Sequence, residues 1–368
     1  MHGGAGPKVK ASNLLTRNGT ETVETGVVAG VLPEQRVMVR SRPAADRILP
    51  LVLIHLAICT VIYVALTIVC RAFPYVQAGA DLVTQMKHQI AKTGRPFQNP
   101  GALHIAVFGN SRVLSGFIPA QFDEAVAAVL GRPVESYNFG LPGDTRFVDD
   151  LETMITRGVG PDVVLLTASW TTEPESQTTP FHFWANDQEI IDRLFPFRRL
   201  PRDLLILAAS SHGSPARARE IYENNRKSMQ AVEASRGYYF LARMSHFRND
   251  ELPPDLQLQT DTPSVMKTRD VPAHAPDLEN LAALFAAHHI RCLLVPTYYR
   301  EHEYAAAPPI NQSTERALAG RANFAVLGPD YYLFPNNYFS DPKHLNPRGA
   351  QVYTDLLVKL TARTITGR

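Results

Sequence analysis

The 368-residue chain is long enough for one large domain with appendages or for two domains, and an apolar share of 45% suffices for a full core. A net charge of only +2 lacks the basic balance of nucleic-acid binders, so we expect no nucleic acid as the main partner. The three cysteines, Cys59, Cys70 and Cys292, form no C-x-x-C or Cys/His pattern, which argues against a disulfide framework and a zinc site. We therefore expect no metal and no cofactor.

The first predicted element is an apolar helix over 48–70, ILPLVLIHLAICTVIYVALTIVC, which contains no Asp, Glu, Lys or Arg. A helix of this length spans about 35 Å, against roughly 30 Å of bilayer hydrocarbon. His55 is its one strongly polar interruption, and a neutral imidazole near a helix end can reach the interface. We predict a retained transmembrane anchor. A cleaved signal peptide and a buried helix are the alternatives, but the late start and the bulky end at 69–71 disfavour cleavage.

The charges beside this run predict its orientation. Four arginines closely precede it: Arg36, Arg40, Arg42 and Arg47. After Arg71 the next basic residue is Lys87. Because basic residues collect on the cytoplasmic side, residues 1–47 are expected to be a disordered cytoplasmic tail. The body of the chain would then be periplasmic or extracellular, attached to the cell (inner) membrane by a single pass.

After a juxtamembrane connector at 71–100, strand and helix patterns alternate. The predicted strands are His104–Phe108, Val134–Phe139, Asp162–Thr167 and Ile290–Val295. The predicted helices are Leu82–Ile90, Pro119–Leu130, Asp144–Arg157, Asp277–His288 and a last helix capped by Asn346 with Pro347 in first position. Alternation of this kind, with strands that are apolar on both faces, predicts an α/β fold with a parallel sheet. We expect a flavodoxin-like, three-layer, doubly wound domain over 101–368.

Residues 171–270 break this rhythm, because they are long, rich in Arg, Ser and Pro, and include FPFRRLPRDLLILAAS. We predict an inserted, mainly helical cap. The LLILAA stretch is too short to cross a bilayer, and it either packs on the domain or lies on the membrane surface.

One serine and one histidine at opposite ends of the domain form a candidate nucleophile and base. Ser111 follows the first predicted strand, and ligands of doubly wound sheets gather at the carboxyl ends of strands. A serine hydroxyl needs a base, and histidine is the usual one near neutral pH. Asp341 and His344 lie three residues apart, so the carboxylate can reach one imidazole nitrogen while the other faces Ser111. The G-x-S-x-G elbow of α/β-hydrolases is absent.

These segments resemble the SGNH (GDSL-type) hydrolase superfamily. Gly109-Asn110-Ser111 resembles its first block, with Asn110 in place of aspartate, and NFGLPGDT at 138–145 resembles the second. Asp341-Pro342-Lys343-His344 matches the C-terminal Asp-x-x-His, and is followed by Leu-Asn and a helix. The resemblance covers about 102–170 and 277–365, and it implies a catalytic triad of Ser111, Asp341 and His344.

The same resemblance implies an oxyanion hole formed by the N–H groups of Ser111 and Gly143. The third block departs from the family, since Thr167-Ala168-Ser169-Trp170 stands where Gly-x-Asn-Asp is usual. Ser169 would occupy the asparagine position, where it is either a third oxyanion donor or an ordinary residue at the end of a strand.

Within the superfamily, the chain looks most like single-anchor extracytoplasmic proteins that act beside a membrane-bound O-acyltransferase in polysaccharide O-acetylation. The GNSR-like first block and the DPKHLNPRG ending carry this likeness. It implies an O-acetyltransferase or acetylesterase that works through an acyl-serine. The implied partners are a polysaccharide acceptor, a membrane-bound O-acyltransferase and, through 48–70, the lipid bilayer.

Three further residues are candidates for substrate binding. Arg112 could meet an anionic group or form a structural ion pair, and Tyr338 and Phe339 could stack on a sugar face or pack in the core. Two other functions stay open on the sequence alone. One is a non-catalytic glycan-binding or assembly subunit of a membrane O-acyltransferase system, and the other is a lipid-directed esterase.

Overall fold

The computed structural model of the chain describes residues 45–76, 79–93, 96–142, 148–167, 194–195, 197–240, 247–258, 276–303, 320–329 and 331–366. Contacts between residues divide the chain into two compact units, Met1–Thr60 and Val61–Arg368. The β-sheets and the candidate site lie in the second unit.

The first helix, α1 (Ala45–Ala72), begins three residues before the predicted anchor, inside what was expected to be the tail. Its stretch Ile48–Ala72 is 25 residues long, contains 18 consecutive residues with a mean hydropathy of 2.6, and is long and apolar enough to cross a membrane. The polar interruption is satisfied within the helix, because His55 Nδ1 lies 2.7 Å from the Leu51 carbonyl oxygen. Helix-internal bonding of this kind is what an apolar environment requires of a polar side chain.

Seven strands are described: β1 (Leu103–Phe108), β2 (Val134–Asn138), β3 (Val163–Thr167), β4 (Arg291–Val295), β5 (Thr297–Arg300), β6 (Phe324–Val326) and β7 (Tyr331–Phe334). Five of them form one sheet in the order β2-β1-β3-β4-β6, and every pairing in it is parallel. The predicted α/β class with a parallel sheet is therefore confirmed. The fifth strand of the sheet, β6, was not predicted, because it is three residues long and only half-buried.

The remaining pair, β5 and β7, forms a separate two-stranded parallel sheet that was not predicted from the sequence. Pro296 separates β4 from β5, and proline supplies no N–H for a strand ladder. The chain therefore leaves the large sheet after β4 and starts a second sheet at once. This small sheet contacts the loop that carries Asp341 and His344.

Eight further α-helices are described: α2 (Gly79–Thr93), α3 (Ser111–Gly116), α4 (Pro119–Leu130), α5 (Val148–Thr156), α6 (Leu200–Ser210), α7 (Pro215–Ala234), α8 (Pro276–Ala287) and α9 (Pro347–Thr366). The start of α4 follows the expected rule, with Pro119 in the first turn, and its end is capped by Gly131 in the left-handed conformation. In the predicted cap, α6 and α7 are helical, and residues 171–193 lie outside the described residues.

Helices cover both faces of the large sheet, as the strand sequences require. Alternate residues of β1 enter two different cores, with Ile105 and Val107 on one face and Ala106 and Phe108 on the other. The first core is completed by α4 and α9, and the second by α2, α5 and α8. Strands buried on both sides fix the sheet in the interior and leave its carboxyl edge for the site.

Candidate active site

Ser111 lies at the carboxyl end of β1, where the chain turns sharply into α3. The Asn110 side chain caps this helix by accepting a hydrogen bond of 2.9 Å from the Arg112 N–H. Ser111 is thus the first residue of α3, and its side chain is half-buried. Cap and strand together hold the hydroxyl at the edge where ligands of such sheets bind.

His344 bridges Ser111 and Asp341. Its Nε2 lies 2.9 Å from the Ser111 hydroxyl oxygen, and its Nδ1 lies 2.8 Å and 3.0 Å from the two carboxylate oxygens of Asp341. With the ring proton on Nδ1, the imidazole donates to Asp341, and Nε2 is left to accept from the serine hydroxyl. This is the hydrogen-bond order of a Ser-His-Asp triad.

Asp341 is held in its ionised form. Burial raises its pKa, but hydrogen bonds from the His344 ring and from the backbone N–H groups of Lys343 and His344 outweigh burial and leave the pKa below its ordinary value. A carboxylate that stays ionised can orient the imidazole and stabilise its protonated form.

The loop around Asp341 is closed by backbone bonds and by a buried arginine. The Ser340 N–H donates to the His344 carbonyl over 2.9 Å. Arg300, at the end of β5, is buried, and its Nε donates to the Pro342 carbonyl over 3.1 Å. The second sheet therefore supports the middle of the loop, and the two functional side chains project from its ends.

The far end of the loop is anchored by Asn346, which precedes α9. Its side-chain oxygen accepts from the Gly349 N–H over 2.9 Å, and its amide donates to the Asn337 carbonyl over 2.9 Å. Such a cap satisfies one free N–H of the helix start and fixes where the helix begins. It also fixes His344, which stands two residues before the cap.

A second buried asparagine, Asn138, connects β2 to α3. Its amide donates to the carbonyls of Val113 and Phe117 over 2.8 Å and 2.9 Å, and its oxygen accepts from the Gly140 N–H over 2.9 Å. The side chain is wholly buried. It satisfies carbonyls at the end of α3, the helix that begins with Ser111, and so locks that helix to the neighbouring strand.

Lys87 of α2 is buried beneath the same segment. Its side-chain nitrogen donates to the Gly140 carbonyl over 2.7 Å and lies 3.4 Å from the Asn138 side-chain oxygen. Burial lowers the pKa of Lys87 well below its ordinary value, and the charge of Asp150 raises it only partly. The predicted connector is therefore packed into the domain and supports the start of the second block.

Gly140 is required by this packing, because a Cβ there would overlap the backbone nitrogen of Leu114. The segment after β2 can approach α3 this closely only without a side chain. Gly143, the proposed oxyanion donor, and Ser169, its proposed companion, both lie outside the described residues.

Arg112 extends over the ring of Tyr299, with its guanidinium carbon 4.4 Å from the ring centroid. Its Nε is buried and has no hydrogen-bond partner within the described part of the chain. No carboxylate pairs with it there either, so the structural ion pair considered for it is not seen. The side chain is half-buried beside the nucleophile candidate.

The two aromatic candidates differ in position. Phe339 is 1% exposed and packs edge-on against Tyr298 at 5.9 Å, which leaves it no face for a sugar. Tyr338 is half-buried, and the Arg348 guanidinium lies over its ring at 5.0 Å. Core packing therefore accounts for Phe339.

Across the described ranges, no three His, Cys, Asp or Glu side chains come together as a metal site would need. The three cysteines are free, with Cys292 buried in β4.

Several residues that hold the site were not identified from the sequence: Lys87, Asn138, Tyr298, Arg300 and Tyr299. The side-chain contacts that Asn138 makes to α3 and that Lys87 makes to the segment after β2 span 21 to 53 positions of the chain, and no local pattern reveals them. The Tyr298 hydroxyl, for instance, donates to the Arg112 carbonyl across 186 positions. Of these residues, only Asn138 lies in a motif identified from the sequence, because it is the first residue of the second block, NFGLPGDT.

Comparison of the chain with protein-family models, with curated proteins and with solved structures finds no match.

Proposed function

We propose that the protein is a serine acyl-transfer enzyme, an O-acyltransferase or acetylesterase, with Ser111 as nucleophile. The observation that carries the proposal is the hydrogen-bonded chain from Ser111 through His344 to Asp341, at 2.9 Å and 2.8 Å. A serine in this chain has a base for its proton, and the base has a carboxylate that fixes its tautomer.

In the first step, the Ser111 oxygen forms a bond to the carbonyl carbon of an ester as His344 Nε2 takes the hydroxyl proton. The carbonyl electrons move to the oxygen and then return to expel the leaving alcohol, which takes the proton from His344. An acyl-serine and a free alcohol remain. Asp341 stabilises the imidazolium between the two proton transfers.

In the second step, an acceptor hydroxyl attacks the acyl-serine, gives its proton to His344 and leaves with the acyl group. Ser111 recovers its proton from the imidazolium. Water as acceptor makes the protein an esterase, and a sugar hydroxyl makes it a transferase. The likeness to polysaccharide O-acetylation proteins favours a sugar hydroxyl.

The charge that develops on the carbonyl oxygen needs hydrogen-bond donors. The Ser111 N–H suits this role, because no acceptor among the described residues bonds to it. Gly143 and Ser169 are the other proposed donors, from the family resemblance. One such donor typically contributes about 2.7–4 kcal/mol to transition-state stabilisation.

The fold agrees with this assignment. A parallel order of β2-β1-β3-β4-β6 is the 2-1-3-4-5 order of flavodoxin-like, doubly wound sheets, in which the crevice forms at the carboxyl edge. Ser111 follows the strand at the switch point of that order. We therefore propose a flavodoxin-like domain with a helical cap, of the SGNH type.

The helix at 48–72 supports the proposal that the protein is anchored in a membrane. Its length and apolar composition fit a single pass, and the arginines before it favour a cytoplasmic N-terminus. We propose that the catalytic body lies in the periplasm or outside the cell. There it would receive acyl groups from a membrane-bound O-acyltransferase and pass them to a polysaccharide.

The position of Arg112 favours a substrate whose acceptor or leaving group carries negative charge. Its guanidinium rests on Tyr299 next to the nucleophile, and its buried Nε has no acceptor from the described residues. A carboxylate or phosphate of the substrate would supply that acceptor.

The test is ester hydrolysis by the full chain in detergent micelles. Ser111→Ala should reduce cleavage of p-nitrophenyl acetate to the background rate, whereas Ser210→Ala, an exposed serine on α6, should leave it unchanged. Unaltered cleavage by Ser111→Ala would remove the proposed nucleophile.

A further inference from the structure

Helix α6 has an inverted distribution of polarity. Its buried side presents Asp203, and Ser211 is buried at its end, whereas Leu204, Leu205 and Ile206 are exposed, Leu205 to 72%. A helix on the surface of a water-soluble domain shows the opposite arrangement, with its apolar stripe turned inward. Consecutive exposed leucine and isoleucine side chains indicate that the surroundings of α6 are apolar.

The segment that leads into α6 touches the second half of α1. The Tyr63 hydroxyl donates to the Leu194 carbonyl over 2.6 Å, and the Tyr63 ring packs edge-on against Phe195 at 6.2 Å and Phe197 at 5.5 Å. Residues from Val61 onward belong to the same compact unit as α6. The segment at 194–197 therefore places exposed apolar side chains against the part of α1 that follows Val61, and α6 begins at Leu200, five residues after Phe195.

We propose that these exposed apolar side chains, together called the α6 surface, lie in the lipid bilayer at the boundary between head groups and acyl chains. It is defined by Leu194, Phe195, Leu204, Leu205 and Ile206. The proposal rests on the membrane anchoring proposed for α1, and it is independent of the chemistry at Ser111.

A bilayer fits the α6 surface better than a protein partner does. The surface adjoins α1, whose own side chains from 61 to 69 are largely exposed and apolar. Tyr63 stands between the two, and amphipathic aromatic rings favour the membrane interface. Arg198 and Arg202 are exposed beside the apolar residues, although Arg202 also pairs with Asp203 over 2.9 Å, and basic side chains in this position are typical of helices that lie on anionic lipid. A second membrane contact would restrict how the catalytic body rotates about its anchor.

Lipid contact can be measured by site-directed fluorescence quenching. The full chain, with Cys59 and Cys70 replaced by Ala, would carry one new cysteine, bear a bimane label and be placed in anionic phospholipid nanodiscs. Cys292 can remain, because it is buried and burial raises the pKa of its thiol. The labelled variants are Leu205→Cys, Val64→Cys on α1, and Val129→Cys, an exposed apolar position on α4.

Lipids that carry a nitroxide near the head group should quench the label at 205 strongly, comparably to that at 64, and the label at 129 weakly. Quenching at 64 with none at 205 would overturn the proposed lipid contact of the α6 surface and would still support membrane anchoring by α1. Absence of quenching at both positions overturns both proposals. A label at 205 that resists both lipid and aqueous quenchers also contradicts the proposal, since protein would then cover the site.

Discussion

The Ser111 hydroxyl oxygen lies 2.9 Å from His344 Nε2, although 233 positions separate the two residues in the chain. Ser111 is positioned by the Asn110 cap at the start of α3. His344 is positioned by the hydrogen-bonded loop that precedes α9. The parallel sheet brings these two helix starts to one edge.

The first prediction concerns the carboxylate that orients His344. Asp341→Asn keeps the size of the side chain but offers Nδ1 a donor as well as an acceptor, so the wrong tautomer becomes available. We expect kcat for p-nitrophenyl acetate to fall on the order of 10⁴-fold. Asp355→Asn, an exposed carboxylate on α9, serves as the control and should retain full activity. Equal activity of the two variants would argue that Asp341 has no part in the reaction.

The second prediction concerns Asn138. Asn138→Asp replaces an amide donor with an oxygen that faces the carbonyls of Val113 and Phe117. The loss of a buried donor costs about 1–3 kcal/mol of unfolding free energy, and a charge there costs more. Urea unfolding of the full chain in micelles measures it, with the exposed Asn99→Asp as control. A midpoint equal to that of the control would contradict the locking role.

The structure also shows which parts of such a site a sequence can predict. Strands β1, β3 and β4 were predictable because they are largely apolar on both faces, and the loop at 341–344 because its residue spacing is local. Strand β6 is too short and half-buried to stand out. The second sheet was missed because TYYR follows directly after a proline.

The supports of the site could not be predicted for a different reason. Asn138, Lys87 and Arg300 each act through bonds to backbone groups that lie far away in sequence. Every residue has a backbone carbonyl, so a side chain that bonds to one does not require any particular residue type elsewhere in the sequence. In the sequence, a buried lysine on a helix cannot be distinguished from the exposed lysines that are usual there.

The third prediction uses the buried amine of Lys87. Because its pKa is lowered on folding, the unfolded chain binds more protons than the folded one, and stability falls as pH drops from the ordinary lysine pKa toward the lowered value. Lys87→Met removes this dependence. Between about pH 9.5 and pH 7, the stability of the variant relative to wild type should therefore improve as the pH falls.

Urea midpoints at several pH values measure this difference, and Lys92→Met on the same helix is the control. The control should follow the pH dependence of the wild type. A constant difference between Lys87→Met and wild type across the range would show that Lys87 keeps its proton in the folded state.

The fourth prediction concerns Arg112 and the charge of the substrate. Two substrates, 4-acetoxybenzamide and 4-acetoxybenzoate, present the same acetate ester. The leaving group is neutral in the first and carries a negative charge in the second. Arg112→Gln should lower kcat/KM for the anionic ester about 10- to 100-fold, the equivalent of one charge-assisted hydrogen bond. Cleavage of the neutral ester should change little. Arg348→Gln, which removes the cation over Tyr338, is the control, and an equal loss on both esters would assign Arg112 a structural role.

The fifth measurement tests the central claim most directly: the site and rate of modification by a fluorophosphonate, followed by mass spectrometry of the full chain. If His344 activates Ser111, the phosphonyl group should be found on Ser111 in the wild type, and His344→Ala should slow its attachment by orders of magnitude. Modification at Ser111 with the same rate in both proteins, or no modification at Ser111 at all, would contradict the account.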